Sequence, residues 1–194
     1  MMYILEKSSS GTTQVPLESK LFSERKLFIE GSIDSESAFD FMKKIMYLNL
    51  ENNKPISVYI NSTGGEINSG LLMYDVIQSS KAPIQMLCTG KAYSMAAVLF
   101  ASAPKRYMLP NSELMIHQPL LGGQISGNAS SIQSISDSLL ETKEKMNRIL
   151  AKHTNNPISK IDDATRFDHY FTPEQSIDFG LCDKILTFDQ MMEV

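Results

Sequence analysis

The sequence predicts an α/β fold with a buried sheet, in a single domain that covers residues 21–194. Between residues 26 and 117, short apolar runs of strand length alternate with stretches whose apolar residues recur every three or four positions. Such alternation is typical of a sheet whose strands are connected by helices. The chain has 194 residues, 42% hydrophobic and 21% charged, which suits one domain with a substantial core. Residues 6–20 are rich in Ser, Thr, Lys and Gly, so we expect residues 1–20 to form a flexible arm.

The strands and helices of the first half follow from this alternation. The predicted strands are apolar runs that end at glycine or polar residues, and they cover 26–31, 56–61, 84–88, 106–109 and 114–117. The predicted helices cover 34–49, 67–80 and 94–102; the first two carry an apolar face, and the third consists of small residues.

A long helix is predicted next, from about residue 129 to residue 152. Its apolar residues recur at spacings of three and four and form a narrow stripe, with Thr142 and His153 in the same rhythm: Ile132, Ile135, Leu139, Met146 and Ile149. A narrow stripe is typical of a coiled-coil edge. It fits either a surface helix packed on its own domain or a contact between subunits.

Capping residues delimit two further helices. Asn156 and Pro157 predict an N-cap followed by a proline at the first helical position. Thr172 to Gln175 predict a capping box, and Gly180 predicts the end of that helix. Residues 181–186 return as a short predicted strand.

Composition excludes several classes of function. The net charge is −4 and no run of Lys or Arg is present, so we expect no nucleic-acid binding. The longest apolar run, 95–101, is too short to span a membrane, and residues 1–7 do not resemble a signal peptide. We therefore expect a cytoplasmic protein that does not bind a membrane. Cys88 and Cys182 stand in no metal-binding or disulfide pattern, and we expect both to be buried in a reducing compartment.

Ser94 is the first candidate for chemistry. Gly90 follows the predicted strand 84–88, and Ser94 then opens a helix of small residues. This places a hydroxyl at a helix N-terminus, where the partial positive charge favours a developing oxyanion. On this segment alone, the alternative is that Ser94 only caps the helix.

A base would have to come from the three histidines. His117 ends a predicted strand, which is a usual position for a catalytic group on an α/β scaffold. His153 lies on the stripe of the long helix, where a structural role is expected, and His169 follows Asp168. No second His or Cys stands at metal-ligand spacing from His117.

A pair of glycines is the third element. Gly64 and Gly65 lie between a predicted strand and a predicted helix, where the backbone N–H groups could approach a substrate closely. The turn could supply one oxyanion-hole donor, with the N–H of Met95 as the second. It could also be a plain tight turn. It lacks the patterns of nucleotide-binding loops.

Together these segments resemble the proteolytic subunit of the ATP-dependent Clp protease. The resemblance extends from about Leu21 to Leu186, and four motifs carry it in order: Tyr59 to Gly65, Gly90 to Ala96, Leu109 to Pro119, and Phe179 to Asp183. It implies the ClpP/crotonase type of fold, with repeated ββα units and the long helix as a projecting handle.

The resemblance also implies a function and a set of site residues. The chain would be a serine endopeptidase with Ser94 as nucleophile, His117 as general base and Asp168 as the acid that orients it. Gly64 and Met95 would be the oxyanion-hole donors. No metal or organic cofactor would be needed in this subunit, because ATP is used by a partner. Peptides and unfolded proteins would be the substrates.

The assembly and the partners are implied by the same resemblance. The family forms seven-membered rings stacked in pairs, so we expect a homo-oligomer, a tetradecamer, whose inner chamber is fed by a Clp-type AAA+ unfoldase. Two departures affect this expectation. Phe167 stands where the family has an arginine before the triad acid, which allows a displaced Asp168 or a single ring. Ser57 and Ser79 replace bulky residues of the docking pocket for the unfoldase, so we predict weaker or different docking.

Three alternatives stay open at this point. The chain could be a catalytically weak or regulatory Clp-type subunit that is active only in mixed rings with a paralogue. It could be a crotonase-like acyl-CoA enzyme on the related fold, which would have no use for the Ser-His-Asp trio. It could also be a non-enzymatic ring scaffold, although no feature of the sequence argues for that.

Overall fold

A computed structural model describes residues 2–8, 11–122 and 126–194 of the chain. The strands are β1 (Tyr3–Ser8), β2 (Gly11–Pro16), β3 (Lys26–Ile33), β4 (Ile56–Gly65), β5 (Ile84–Tyr93), β6 (Lys105–Met108), β7 (Glu113–Ile116), β8 (His169–Phe171) and β9 (Lys184–Ile185). The helices are α1 (Leu17–Ser23), α2 (Ser35–Glu51), α3 (Ile67–Ser79), α4 (Met95–Ser102), α5 (Ala129–Thr154), α6 (Ile158–Thr165), α7 (Pro173–Phe179) and α8 (Phe188–Met192). The predicted alternation of strands and helices between residues 26 and 117 is confirmed.

A parallel sheet forms the centre of the domain, in the order β3-β4-β5-β6-β9. The long strand β5 has two neighbours on the same side. Its first half, Gln85–Cys88, pairs with β6, and its last three residues pair with β7. Strand β7 in turn pairs with β8 in antiparallel orientation. The last residues of β5 therefore lie beside β7, and not beside β6.

Helix α4 lies at the core of the domain. All eight of its residues are buried, and it packs against β4, β5, α3 and α5. It contains Ala, Met, Val, Leu, Phe and Ser and no charged residue, so burial on every side removes no charge from water. Cys88 and Cys182 are also buried, as predicted, and burial raises the pKa of Cys88 to about 12 and that of Cys182 to about 11.

Helix α5 matches the predicted long helix and extends it by two residues. Its buried residues all lie in its second half: Met146, Asn147, Leu150 and Thr154. In the first half the apolar residues stay partly or largely exposed, and the exposed fraction is 46% for Ile132 and 55% for Leu140. The first half of α5 therefore extends beyond the core of its own chain.

The N-terminal segment contains more structure than a flexible arm suggests. Strands β1 and β2 pair in antiparallel orientation, and α1 begins at Leu17. Residues 1, 9 and 10 of the predicted arm lie outside the described residues. Most side chains of β1 and β2 are exposed, so apolar and polar residues do not alternate clearly along these strands and no sequence pattern marks them. The flexibility of the segment stays a prediction.

Two predicted boundaries near the C-terminal end are wrong. Asn156 does not cap α6, whose N-cap residue is Pro157, because the side-chain amide of Asn156 donates to the carbonyl of Phe179 at 2.6 Å. The strand predicted over 181–186 is reduced to Lys184–Ile185. Two other predictions are confirmed, since Thr172 forms the capping box of α7 and Gly180 ends it in the left-handed conformation.

Candidate active site

Three side chains that are distant in the sequence meet at the ends of β5 and β7. The Nε2 atom of His117 lies 2.8 Å from Oγ of Ser94, and its Nδ1 atom lies 3.0 Å from Oδ1 of Asp168. The side chain of His117 is 13% exposed, while that of Asp168 is 55% exposed. A continuous chain of hydrogen bonds therefore runs from a hydroxyl at a helix N-terminus, through a mostly buried imidazole, to a carboxylate at the surface of this chain.

The backbone holds Ser94 in a strained conformation. Its φ is 55° and its ψ is −122°, a combination that L-residues other than glycine rarely adopt. The pairing of β5 with β7 imposes it: Tyr93 is the partner of Met115, and the N–H of Ser94 donates to the Met115 carbonyl at 2.8 Å. The chain must then turn at once into α4, so Ser94 takes up the change of direction between strand and helix.

Two connections place Asp168 beside His117. Strand β8 pairs with β7 in antiparallel orientation, with His169 opposite Ile116. Asp168, which precedes His169, and His117, which follows Ile116, are therefore also brought close to each other. In addition, Gln118 donates from its backbone N–H to the Thr165 carbonyl at 2.7 Å, and from its side chain to the Arg166 carbonyl at 3.0 Å. The short strand β8 was not predicted, and its three residues give too little periodicity to be recognised from sequence.

The residue before the acid does not displace it. Phe167 is 79% exposed, and Arg166 forms an ion pair with Asp163 at 2.9 Å instead of reaching the histidine. Asp168 nevertheless stays within hydrogen-bond distance of His117. The displaced acid considered from the sequence is therefore not the arrangement of this structure.

The glycine turn lies against the start of α4. Gly64 has a φ of +83°, and a Cβ atom on it would lie 2.5 Å from the Tyr93 carbonyl oxygen and 2.9 Å from the Met95 nitrogen. Only glycine allows this approach. The N–H of Met95 belongs to the first turn of α4, where such groups have no acceptor within the helix.

The two glycines of the pair differ in burial and in contacts. The N–H of Gly64 already donates to Oγ of Ser62 at 3.1 Å, so the predicted role of Gly64 conflicts with this bond. Strand β4 alternates between buried and exposed residues here, with Gly64 buried and Gly65 exposed, and Gly65 lines the adjoining cavity. The period of two along the strand could have identified Gly65 from sequence, had β4 been extended through the glycines.

A cavity of about 670 Å³ opens beside these groups. Ser94, Met95, His117, Gly65 and Glu66 are among its lining residues. Much of the remaining lining is apolar and comes from α3, α4, α5, β7 and the segment after His117: Ile67, Val98, Met115, Ile116, Pro119, Leu120, Met146 and Leu150. A partly apolar cleft with a few convergent polar groups is typical of a small-molecule or peptide site.

The other two histidines do not join this arrangement. His153 is hydrogen-bonded to the Tyr74 hydroxyl at 3.0 Å, and burial, with the nearby Lys152 and Arg106, lowers its pKa to about 4. His169 stacks on Phe171 with ring centroids 4.3 Å apart. The structural role expected for His153 thus agrees with its surroundings.

The described residues contain neither a metal-binding cluster nor a helix suited to a membrane. In the described ranges, no group of three or more His, Cys, Asp or Glu side chains is arranged to hold a metal ion. No helix in that part of the chain combines the length and the hydropathy needed to cross a membrane. The expectation that this subunit needs no cofactor is not tested by these observations and stays a prediction.

The comparison with protein families agrees with the architecture. A family model described as Clp protease matches residues 9–189 of the 194-residue chain. The match includes the whole parallel sheet, α5 and the three side chains that meet at Ser94. Together with the mixed α/β structure, it confirms the predicted ClpP/crotonase-like fold. The chain therefore belongs to the Clp protease family.

Proposed function

We propose that this chain is the serine endopeptidase subunit of a self-compartmentalised Clp-type protease, with Ser94, His117 and Asp168 as its catalytic triad. Family membership makes the chain a Clp-type peptidase, and the proposal adds the residues and the substrate class. One observation carries it: the hydrogen bonds of 2.8 Å and 3.0 Å that join the hydroxyl, the imidazole and the carboxylate beside a cavity. The substrates are peptides and unfolded proteins.

The geometry supports acyl transfer. Nε2 of His117 accepts the Ser94 proton while Oγ attacks the carbonyl carbon of the scissile bond, and Asp168 holds the imidazole in the required orientation. His117 then gives the proton to the leaving amine as the C–N bond breaks. Water, deprotonated by the same imidazole, attacks the acyl-enzyme, and the Ser94 hydroxyl is regenerated.

The oxyanion is assigned to two backbone N–H groups. Met95 offers one at the N-terminus of α4, and Gly65 offers the other at the edge of the cavity. Both are fixed before the reaction, so they stabilise the developing charge without reorganisation, and one such donor is worth roughly 10²- to 10³-fold in kcat. Gly65 replaces Gly64 in this role because the Gly64 N–H is bonded within the turn.

The family and the exposed half of α5 support a proposal for the assembly. Members of the family generally form oligomeric rings that work with AAA+ partners. For this chain we propose seven-membered rings stacked in pairs, with the exposed first half of α5 in the contact between subunits. Of the two interpretations of its apolar stripe, this favours the contact, because the first half of α5 contributes no buried residue to its own domain.

A fluorophosphonate probe tests the proposed nucleophile directly. We expect the purified homomeric protein to be labelled at Ser94, because the imidazole 2.8 Å away activates that hydroxyl. Mass spectrometry of the digested protein locates the label. His117→Gln should abolish labelling, whereas His169→Gln should retain it, since His169 stacks on Phe171 and does not contact Ser94.

The outcomes separate the alternatives. A folded wild-type protein that takes up no label would contradict the proposal and would suit a crotonase-like enzyme. Labelling that appears only after a paralogous subunit is added would instead support the mixed-ring alternative. A label on a different serine would remove Ser94 from the role of nucleophile.

We further propose that docking of an AAA+ unfoldase is weaker than is usual in the family, because the chain covers its own docking surface. Tyr59, Leu87 and Leu186 form a second apolar cluster, separate from the main core, with Tyr107 and Leu109 against it. By the resemblance to the family, Tyr59 and Tyr107 match aromatic residues of the docking pocket. The segment 188–194 lies on this cluster, with Met191 fully buried.

Ser57 helps to hold the segment 188–194 on the apolar cluster. Its hydroxyl donates to the Val194 carbonyl at 3.1 Å, and the Tyr59 hydroxyl donates to the Met191 carbonyl at 3.4 Å. The small side chain that replaces a bulky one at position 57 therefore makes room for the C-terminal segment and also binds it. A partner must displace this segment before it can use the same apolar surface.

Met191→Asp should consequently strengthen docking. Burial of a methionine contributes about 1.5–3 kcal/mol, so a charge at this position should release the segment and tighten unfoldase binding about 10-fold or more. Met192→Asp is the matched control, because Met192 is 45% exposed. Association with a generic Clp unfoldase, followed by light scattering, measures the effect. Tight binding by the wild-type protein, or equal binding by both variants, would contradict the proposal.

A further inference from the structure

The residue after the glycine pair brings a fixed negative charge to the candidate active site. Glu66 follows Gly65, precedes α3 as its N-cap residue and lines the same cavity as Ser94. Its backbone is held on two sides: its N–H donates to the Ile33 carbonyl at 2.8 Å, and its carbonyl accepts from the Gly70 N–H at 2.9 Å. The position of its side chain is therefore set by the same turn that positions the proposed oxyanion hole.

Ser69 fixes the carboxylate itself. Its hydroxyl donates to Oε2 of Glu66 at 2.8 Å, and Ser69 is 8% exposed, so the donor is packed in place. This bond uses only Oε2, so Oε1 of Glu66 can accept a bond from another donor. The N-terminus of α3 adds a partial positive charge that favours a carboxylate at this position.

The charge of Glu66 has no counterpart among the other lining residues that the structure describes. Apart from His117, the rest of the lining is uncharged, and much of it is apolar. No Lys or Arg side chain lines this part of the cavity to neutralise the carboxylate. A peptide in the cavity would thus place one side chain against the apolar lining and another near Glu66.

We propose that Glu66 is a specificity-determining residue, which favours peptides with a Lys or Arg side chain next to the residues that flank the scissile bond and disfavours acidic ones there. This inference rests on the proposed peptidase function. Glu66 is exposed in the isolated chain, so water screens its charge and the preference is modest. Attraction of a cation and repulsion of an anion together give a Lys-to-Glu ratio in kcat/KM of about 10.

A set of quenched fluorescent peptides tests this. All peptides share the same cleaved bond, and Lys, Gln or Glu is placed in turn at each of the neighbouring positions. At one position or more, the wild-type protein should prefer Lys over Glu about 10-fold, and this ratio should fall as salt is added. In Glu66→Gln the ratio should approach 1.

Matched variants make the result decisive. Glu36→Gln removes one carboxylate from the exposed first turn of α2, outside the cavity, and should leave the ratio unchanged. Ser69→Ala frees the carboxylate of Glu66 and should reduce the ratio in part. The same Lys-to-Glu ratio in the wild type and in Glu66→Gln would overturn the inference and leave the peptidase function intact. If no peptide is cleaved, or if Ser94→Ala cleaves as well as the wild type, the peptidase function is overturned, and the inference falls with it.

Discussion

Replacement of Ser94 by alanine is expected to lower kcat for a short fluorogenic peptide by roughly 10⁶-fold, and His117→Ala should cost about as much. The reason is that the two groups act as one unit: without the imidazole 2.8 Å away the hydroxyl is a weak nucleophile, and without the hydroxyl the imidazole has no proton to accept. The double variant should therefore be no slower than either single variant. Steady-state kinetics on the purified homomeric protein measure all three.

Two further variants complete this test. Asp168→Asn leaves the nucleophile and the base in place but removes the charge 3.0 Å from Nδ1, so the loss should be smaller, about 10⁴-fold. Ser102→Ala is the control, because Ser102 ends α4, is buried, and donates only to the Leu99 carbonyl in the same helix. Losses that multiply in the Ser94 and His117 double variant would show that the two residues act independently, against the triad.

The elements that could be predicted from sequence are those with two buried sides or strong caps. Strand β5 begins with five buried residues, and α7 has both a capping box and a glycine stop, so pattern and punctuation agree there. Strands β1 and β2 had no such signal, because few of their side chains are buried. Helix α8 does begin with a capping box, formed by Thr187 and Gln190, but its five residues are too few to show an apolar period, so only its start is marked in the sequence. Its contact with Tyr59, 132 residues earlier in the chain, has no local pattern.

The extension of β4 and β5 could not be recognised for a different reason. The prediction ended these strands at Asn61 and Cys88, because the residues that follow, such as Ser62, Gly64 and Gly90, are typical of turns. In the structure they continue as strands, since backbone pairing with β3 and β7 does not depend on side chains. These extensions form the candidate site, so local propensity fails at the positions where the proposed chemistry needs a close backbone approach.

The candidate site residues can be predicted from the motifs, whereas the contacts between them cannot. The order and spacing of the segments around Ser94 and His117 predict which side chains should act together. That Asp168 reaches His117 depends on the pairing of β8 with β7 and on two hydrogen bonds from Gln118, none of which has a local pattern. The period of two along β4 could have favoured Gly65 over Gly64, but the bond from the Gly64 N–H to Ser62 is known only from the structure.

Replacement of Gly64 by alanine is expected to remove activity and to destabilise the fold. A Cβ atom there would lie 2.5 Å from the Tyr93 carbonyl oxygen, so the glycine turn and the start of α4 must move apart. A displacement of about 1 Å at a reacting group can cost roughly 10²-fold in rate, and here it would separate Gly65 from Met95. We therefore expect kcat/KM to fall more than about 100-fold. We also expect overpacking to lower the free energy of unfolding by about 1–3 kcal/mol, in addition to the cost of the left-handed backbone.

Gly31 provides the matched control for this effect. It also has a positive φ, +69°, but a Cβ atom on it would meet no heavy atom within 4 Å. Gly31→Ala should thus carry only the cost of the left-handed backbone, about 1–2 kcal/mol, and keep its activity. Denaturant unfolding and peptide kinetics on both variants separate conformational cost from steric clash. If the two variants lost activity and stability equally, the contact between the glycine turn and α4 would not be what organises the site.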